Sequence, residues 1–387
     1  MTRSQAESLV STHGSVTAAA KAAGIARTTF RCILGSQRDD TPSAACPSAP
    51  PAPPPEPEVL SLRRENAELR RSILASTCDH GRVEGLLNRV IELIPETAVA
   101  PSVFNIRTKS RKPVADFCLD LTDIHYGAIQ PSDEVEGFGE YSPAICVARM
   151  ENLFQDVLDF VQIQRNGYSI RNLHILGTGD YISGDIQDLR VTNAFPAPVQ
   201  AVQCSQMLTS MIGGIVPHFD KTAVHIVTDD NHGRLTKKPQ SKEGGLNNWS
   251  YVVGKWVEKS FESCDDVTVN VIAKPWESVQ CCGRRYLLTH GHHVATWMGF
   301  PYAGIERLVS REALKRMNAP DVRKFDKVVL GHWHAPMKHP HYFVGGSVSG
   351  TDAYDHGQGR HALPQQVSWL ISPDHGEFAW TEWNLRS

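Results

Sequence analysis

The stretch "VVLGHWHAP", Val328–Pro336, decides how the chain is read. An apolar run ends at a glycine, and two imidazoles, His332 and His334, follow it two positions apart. Side chains at i and i+2 of an extended segment point the same way, so an extended segment here aims both rings at one point. One such pair has ordinary explanations. Its weight depends on whether ligand-type side chains also end other strands.

They do. From about Lys112 onward the chain carries short β-rich runs, "VADFCLDL", "NLHILG", "AVHIVT", "VTVNVIA", "RRYLLTH" and "KVVLGH". The early ones alternate with the helical stretches "SPAICVARMENLFQDVLDFVQIQ" and "PVQAVQCSQMLTSMIGGIV". Alternation of this kind predicts a layered α/β domain. Later strands read without long helices between them, which predicts mixed sheets, and the tail "VSWLISPDHGEFAWTEWNL" reads as a hairpin. Ligands gather at the carboxyl ends of strands in open α/β sheets. Read to its end, "CLDLTDIHYG" delivers Asp123 and His125, and "LHILGTGDYISGD" delivers Asp180 with Asp185 beyond it. "VHIVTDDNHGR" delivers Asn231 and His232, "YLLTHGHH" delivers His290, and the opening stretch His332 and His334.

Carboxylate, carboxamide and imidazole without cysteine suit Mn²⁺, Fe²⁺ or Zn²⁺ and disfavour a thiolate site. Seven candidates, Asp123, His125, Asp180, Asn231, His290, His332 and His334, exceed one tetrahedral ion and match two ions sharing a carboxylate. A pair of ions about 3.5–4 Å apart produces hydroxide near neutral pH and clamps both oxygens of an in-line displacement at phosphorus.

D-x-H, G-D, N-H, H-G-H and G-H-x-H, in this order over about Ala115 to Ser349, resemble the calcineurin-like metallophosphoesterases, including SbcD-type and viral or prophage-type members. The resemblance implies a layered sandwich of mixed β-sheets flanked by helices. It implies two divalent ions, Mn²⁺ preferred and Fe²⁺, Zn²⁺ or Ni²⁺ admissible. Asp123, His125, Asp180 and His334 would hold one ion; Asp180 as bridge, Asn231, His290 and His332 the other. His232 would be the general acid that protonates the leaving oxygen. Two departures stand out. The family's usual G-N-H-E/D is "DDNHGR" here, so Asp229 or Asp230 takes over the steadying of His232, and Arg234 is either a phosphate contact or a surface residue. "GDYISGDIQ" lacks the G-D-x-V-D-R-G of Ser/Thr protein phosphatases, which argues against phosphoprotein substrates. His292 and His293 are expected near the site without holding metal. The polar segments "DIQDLRVTNAF" and "GGSVSGTDAYDHGQGRHALPQQ" are expected to shape the cleft, with Asp185, Asn193 and Asp352 as further candidates.

The 387 residues allow a large catalytic domain, taken as residues 112–387, with smaller units before it. Residues 1–36 read as a small all-α unit. "SQAESLVSTHG" starts on Ser4, and "SVTAAAKAAG", starting on Ser15, with "ARTTFRCILG" resembles a helix-turn-helix having Ala20 as the small residue and Gly24 in the turn. Up to Arg38 this segment carries five basic residues against one acid, which suits DNA; a plain alanine-rich hairpin is the bland alternative. Residues 37–58 form a Pro-rich linker. Residues 59–95 are helical, and the seam Val59, Leu62, Asn66, Leu69 and Ile73 over 59–74 fits either a homodimer or a helix folded back on its own protein. "RTKSRK" at Arg107–Lys112 is a basic stretch before the first strand.

A net charge of −3 rules out a polybasic coat, although local basic patches remain. Neither a signal peptide nor a membrane span is expected. Nine cysteines without a C-x-x-C pair fit reduced thiols, so a cytoplasmic place (host cytoplasm if virus-encoded) is expected. The leading functional reading is a two-metal phosphodiesterase or nuclease acting on DNA. The alternatives are a phosphoesterase for nucleotides or other small esters, and a DNA-binding regulator with a vestigial metal site.

Overall fold

The computed structural model describes residues 3–25, 61, 64–72, 111–186, 191–240, 242–296, 301–319 and 324–387, and the chain divides into two compact units, 1–105 and 106–387. In the first unit, α1 (Arg3–His13) and α2 (Val16–Ala22) pack around Ala6, Ala19 and Ala20. Ser15 caps α2 by accepting from Ala18 N at 3.2 Å. At its other end Gly24 takes φ +67° while Ile25 N donates to Ala20 O at 3.1 Å, closing the helix in a Schellman turn. The first helix begins at Arg3, one residue ahead of the expected cap. Helical residues 64–72 leave Asn66 and Leu69 exposed. The segment "ARTTFRCILG", the 37–58 linker, most of 59–95 and "RTKS" at 107–110 lie outside the described residues.

In the second unit β1 (Val114–Leu121) is buried from Ala115 onward. Phe117, Leu119 and Leu121 join a core beneath α3 (Pro143–Gln164), α4 (Ala197–Ile215) and α5 (Trp249–Ser260). Cys118, between them, belongs to a second core with Leu176, Tyr286, Val329 and Trp369, which lies between two sheets. A strand covered on both faces reads as a largely apolar run, as "VADFCLDL" does apart from buried Asp116 and Asp120.

β1 runs parallel to β2 (Ser169–Gly177), which is followed in the sheet by β3 (Lys221–Val227) and β4 (Val267–Ile272), all parallel. On its other side the C-terminal hairpin, β10 (Gln365–Ser372) and β11 (Gly376–Asn384), adds antiparallel to complete the six-stranded order β11–β10–β1–β2–β3–β4. The second sheet has the order β5–β6–β7–β9–β8, from β5 (Glu277–Cys281), β6 (Arg284–Leu288), β7 (Lys327–Leu330), β8 (Met337–Lys338) and β9 (Tyr342–Val344). The expected layered sandwich of mixed sheets flanked by helices is the observed fold. One expectation is corrected: the later strands are not all free of helices. Between β6 and β7 runs α6 (Tyr302–Met317), which covers the outer face of the second sheet through Ile305, Leu308 and Val309. Its sequence, "YAGIERLVSREALKRM", is half charged or polar and hides that narrow stripe. The three-residue β9 and two-residue β8 are too short to carry a period. Among the described residues no helix is long and apolar enough to cross a membrane.

Candidate metal centre

The carboxyl ends of β1, β2, β3, β6 and β7 converge, and the turns that follow β1, β2 and β7 are strained. Asp123, His125, Asp180, His332 and His334 all have positive φ, between 49° and 72°. Left-handed backbone costs a non-glycine residue about 1–3 kcal/mol and persists where the surroundings enforce it, often at functional sites. It also corrects the opening assumption that His332–His334 is extended. Two left-handed residues turn the chain between the rings, and the rings go to different groups. The preceding glycines are explained sterically. A Cβ on Gly331 would collide with Thr122 Oγ1 and stand 2.5 Å from Asp123 Oδ2; one on Gly179, at φ +110°, would stand 2.8 Å from His290 Nδ1.

Two principal groups form, each with ligand atoms within 4.8 Å of one another: Asp123, His125 and His334, and Asp180, His290 and His332. Asp180 also lies within that distance of His125 and His232, so it stands between the two. In the first group the Nε2 atoms of His125 and His334 are 3.1 Å apart and lie 3.7 and 3.5 Å from Asp123 Oδ1. The other oxygen, Asp123 Oδ2, accepts from Thr122 Oγ1 at 2.6 Å and His332 N at 2.8 Å, whereas buried Oδ1 has no hydrogen-bond partner. In the second group His290 Nε2 is 2.9 Å from both Asp180 Oδ2 and Asn231 Oδ1.

The tautomers follow from the far side of each ring. His290 Nδ1 donates to the Thr178 carbonyl at 2.9 Å, and His334 Nδ1 donates to Asp355 Oδ2 at 2.7 Å. A carbonyl or carboxylate only accepts, so Nδ1 of each ring carries a proton, and the ring in its neutral form presents the Nε2 lone pair inward. Lone pairs of nitrogen and oxygen thus meet in two buried places, and only positive charge between them relieves that. A single proton satisfies one pair of atoms; a divalent ion satisfies the whole set, and the oxygen and nitrogen donors fit one.

The site draws positive charge, and without an ion it recruits protons. Burial would push the Asp123 and Asp180 carboxyls up, but neighbouring imidazoles hold both well below the usual carboxylate range. Burial pulls His290 down, yet the Asp180 charge and hydrogen bond carry it to about 10; Asp123 and Asp355 likewise hold His334 high. Burial, with the nearby His290, drives His332 well down.

His232 lies against His125, ring centroids 4.5 Å apart, and its Nδ1 donates to the Ser183 carbonyl at 2.8 Å. Burial depresses its pKa. The expected steadying of His232 by Asp229 or Asp230 is corrected, because the Ser183 carbonyl does that. Asp230 ties the loop instead, accepting from Asp180 N at 3.0 Å, Gly233 N at 2.9 Å and Asn248 Nδ2 at 3.0 Å. Burial and Asp180 raise it to about 6. Arg234 lines a small hollow with Asp229, Gln240 and His292, apart from the residues around the cleft. His293 stands edge-on to Trp276 at 4.4 Å. Asp185 caps α4 from a distance, accepting from Ala197 N at 3.2 Å, and Asn193 bridges Ser183 Oγ and Gly184 O. Asp355 is the residue sequence reasoning missed. It lies on α7 (Ala353–Gly357), whose N-cap is Asp352, and together the two form a further group with His334. "TDAYDHG" signals a capped helix start but not the distant imidazole.

Fold and site together define a two-sheet α/β sandwich carrying a paired set of oxygen and nitrogen ligands at the strand ends. Solved structures that the chain is similar to include vacuolar protein sorting 29 from Cryptosporidium parvum, at 14% identity and TM-score 0.29, over 70% of this chain and 99% of that one. Vps29 from Entamoeba histolytica complexed with Zn²⁺ matches at 11% and 0.24 over the same shares, 70% and 99%. The phosphoesterase YfcE from E. coli matches at 16% and 0.22, over 47% and 92%. Scores this low assign neither chemistry nor family to the chain. No protein-family model and no curated protein matches the sequence.

Proposed function

We propose that the chain is a two-metal phosphoesterase. The observation that carries this reading is the double convergence of buried oxygen and nitrogen donor atoms, with Asp180 between the two sets and Asp123 Oδ1 left without a hydrogen-bond partner. Asp123, His125, His334 and Asp180 would hold one divalent ion, Mn²⁺ preferred; Asp180, Asn231, His290 and His332 would hold the second. Bound there, the ions supply a nucleophile at neutral pH and neutralise charge on the phosphoryl oxygens. The chain's own residues do the rest. The Asp355 carboxylate and the Thr178 carbonyl fix the tautomers of His334 and His290. The Ser183 carbonyl holds the proton of His232 on Nδ1, so its Nε2 is the atom that protonates the leaving oxygen, once charged. Arg360, on the cleft wall beside Asp355 at 3.7 Å, supplies positive charge near the phosphoryl group.

For the substrate we infer a phosphodiester of DNA, as in SbcD-type enzymes, supported by the basic N-terminal helical segment with its helix-turn-helix pattern. Nucleotides or small phosphate esters are the second reading, favoured by a small hollow of about 200 Å³ beside the cleft. The test is a Mn²⁺-supplemented panel of duplex, single strand, nucleotides and bis(p-nitrophenyl) phosphate. Asp180→Asn should abolish hydrolysis of every substrate, and His232→Ala should lower kcat by about 10²–10⁴ with metal content retained. Removing residues 1–57 should cost duplex cleavage while sparing bis(p-nitrophenyl) phosphate. Hydrolysis of no substrate by metal-loaded protein overturns the enzyme reading, and unchanged duplex cleavage by the truncated chain overturns the DNA reading.

A further inference from the structure

The cleft over the two ligand groups, about 480 Å³, adjoins a second hollow of about 200 Å³, and the two share His232, Asp352 and Tyr354. His125 and His232 form part of the wall of the second hollow, so it opens directly off the metal centre. The rest of the lining includes Ile129, Gln130 and Glu134 from the segment after β1, and Asn193 from the segment before α4. We propose that this hollow holds the alcohol half of the ester and is built for a nucleoside. The proposal rests on the phosphoesterase reading for the ester, but not for the binding of the nucleoside itself.

Four features point there. Charge is the first: the described lining contains two carboxylates, Glu134 and Asp352, and no lysine or arginine, whereas the neighbouring cleft has Arg360. Such a wall repels a second phosphate and accepts hydrogen bonds from hydroxyl and amino groups. Shape is the second. Tyr354 is 67% exposed on the boundary of both spaces and Ile129 is 39% exposed, which leaves an aromatic face and an apolar edge for a planar ring. Bases stack on such side chains whatever their identity.

Third, the walls are tied together before any ligand arrives. Gln130 accepts from Ala353 N at 2.8 Å and donates to Glu134 at 3.3 Å and Pro131 O at 3.0 Å, joining α7 to the segment after β1. Asn193 donates to Gly184 O at 2.6 Å and accepts from Ser183 Oγ at 2.9 Å, holding the other side. Position is the fourth. Ser183, which fixes the ring of His232, lines the same space, so a group seated there hangs its ester oxygen beside the proposed acid. At about 200 Å³ the space lies below the range of drug-sized sites and admits one nucleoside rather than a strand. A chain end or a mononucleotide fits; the middle of a duplex does not.

The experiment is calorimetric titration of the full-length chain, stripped of metal with EDTA, using adenosine, ribose and glycerol as separate probes. Adenosine should bind saturably and more tightly than ribose or glycerol. Tyr354→Ala should weaken it about tenfold, and Ala353→Trp, which fills the hollow, should abolish it. Absence of adenosine binding overturns the proposal, as does binding untouched by Tyr354→Ala. Ribose or glycerol binding as tightly as adenosine overturns the nucleoside assignment in favour of a polyol. Because Tyr354 is exposed, its variant keeps the test decisive if the tryptophan variant fails to fold. Hydrolysis of bis(p-nitrophenyl) phosphate by the Mn²⁺-loaded protein is read separately. Adenosine binding without hydrolysis sinks the enzyme reading alone, and hydrolysis without adenosine binding sinks the nucleoside pocket alone.

Discussion

Asp355 touches no proposed metal directly, yet its removal should be felt there. Its Oδ2 accepts from His334 Nδ1 at 2.7 Å, and the side chains are 7% and 12% exposed. This bond fixes which nitrogen of His334 carries the proton and aims the other at Asp123 and His125. Hydrogen bonds to charged groups contribute about 1.5–3 kcal/mol, against about 0.5–1.5 for neutral ones. Loss of a partner of this kind lowers metal affinity by about 10–100-fold, which is about 1.4–2.8 kcal/mol. Asp355→Ala should therefore weaken Mn²⁺ binding in the group containing His334 by that factor. Asp355→Asn keeps an acceptor oxygen and loses only the charge, so about 1 kcal/mol, or several-fold, is expected. Calorimetric titration of EDTA-stripped protein with Mn²⁺ measures both, and melting in EDTA checks the fold. An Asp355→Ala protein that melts like the parent and binds Mn²⁺ within about twofold of it would refute the orienting role.

Gly331→Ala should push on Thr122 and Asp123, lowering metal content and hydrolysis together; an alanine variant with full metal stoichiometry would show that the β7 turn tolerates a Cβ. The pH dependence of stability offers another test. Burial, then the charge of His174, lowers His225 from 6.5 to about 4, and both its ring nitrogens are buried without a partner. Its folded pKa lies below the unfolded value, so the unfolded chain binds more protons between those values. The stabilising contribution of neutral His225 is complete above about pH 6.5 and is lost as pH falls through about 4. Urea unfolding across that window should show a shallower acid loss in His225→Leu than in the parent; identical slopes would mean His225 does not titrate on unfolding.

Six of the strands were visible as β-rich runs, and all seven candidate ligands were named because each ends one of them. That legibility has a local cause: a strand covered on both faces is largely apolar, so a cluster of polar residues just past its end stands out. Asp355 had no such frame, since it lies in a five-residue helix and its importance comes from a histidine twenty-one positions away. The Ser183 carbonyl was equally hidden, because a backbone acceptor leaves no mark on residue type.

Strand order and the pairing of the C-terminal hairpin with β1 were tertiary decisions, and so were the left-handed turns that carry out the division of His332 from His334 which the motif resemblance had implied. Residue types and their spacing determined that imidazoles and carboxylates would gather at the strand ends. Which ring meets which carboxylate depended on left-handed turns enforced by packing, as where Gly331 clears Thr122. Side-chain chemistry is written position by position. Convergence depends on backbone angles that the rest of the fold imposes.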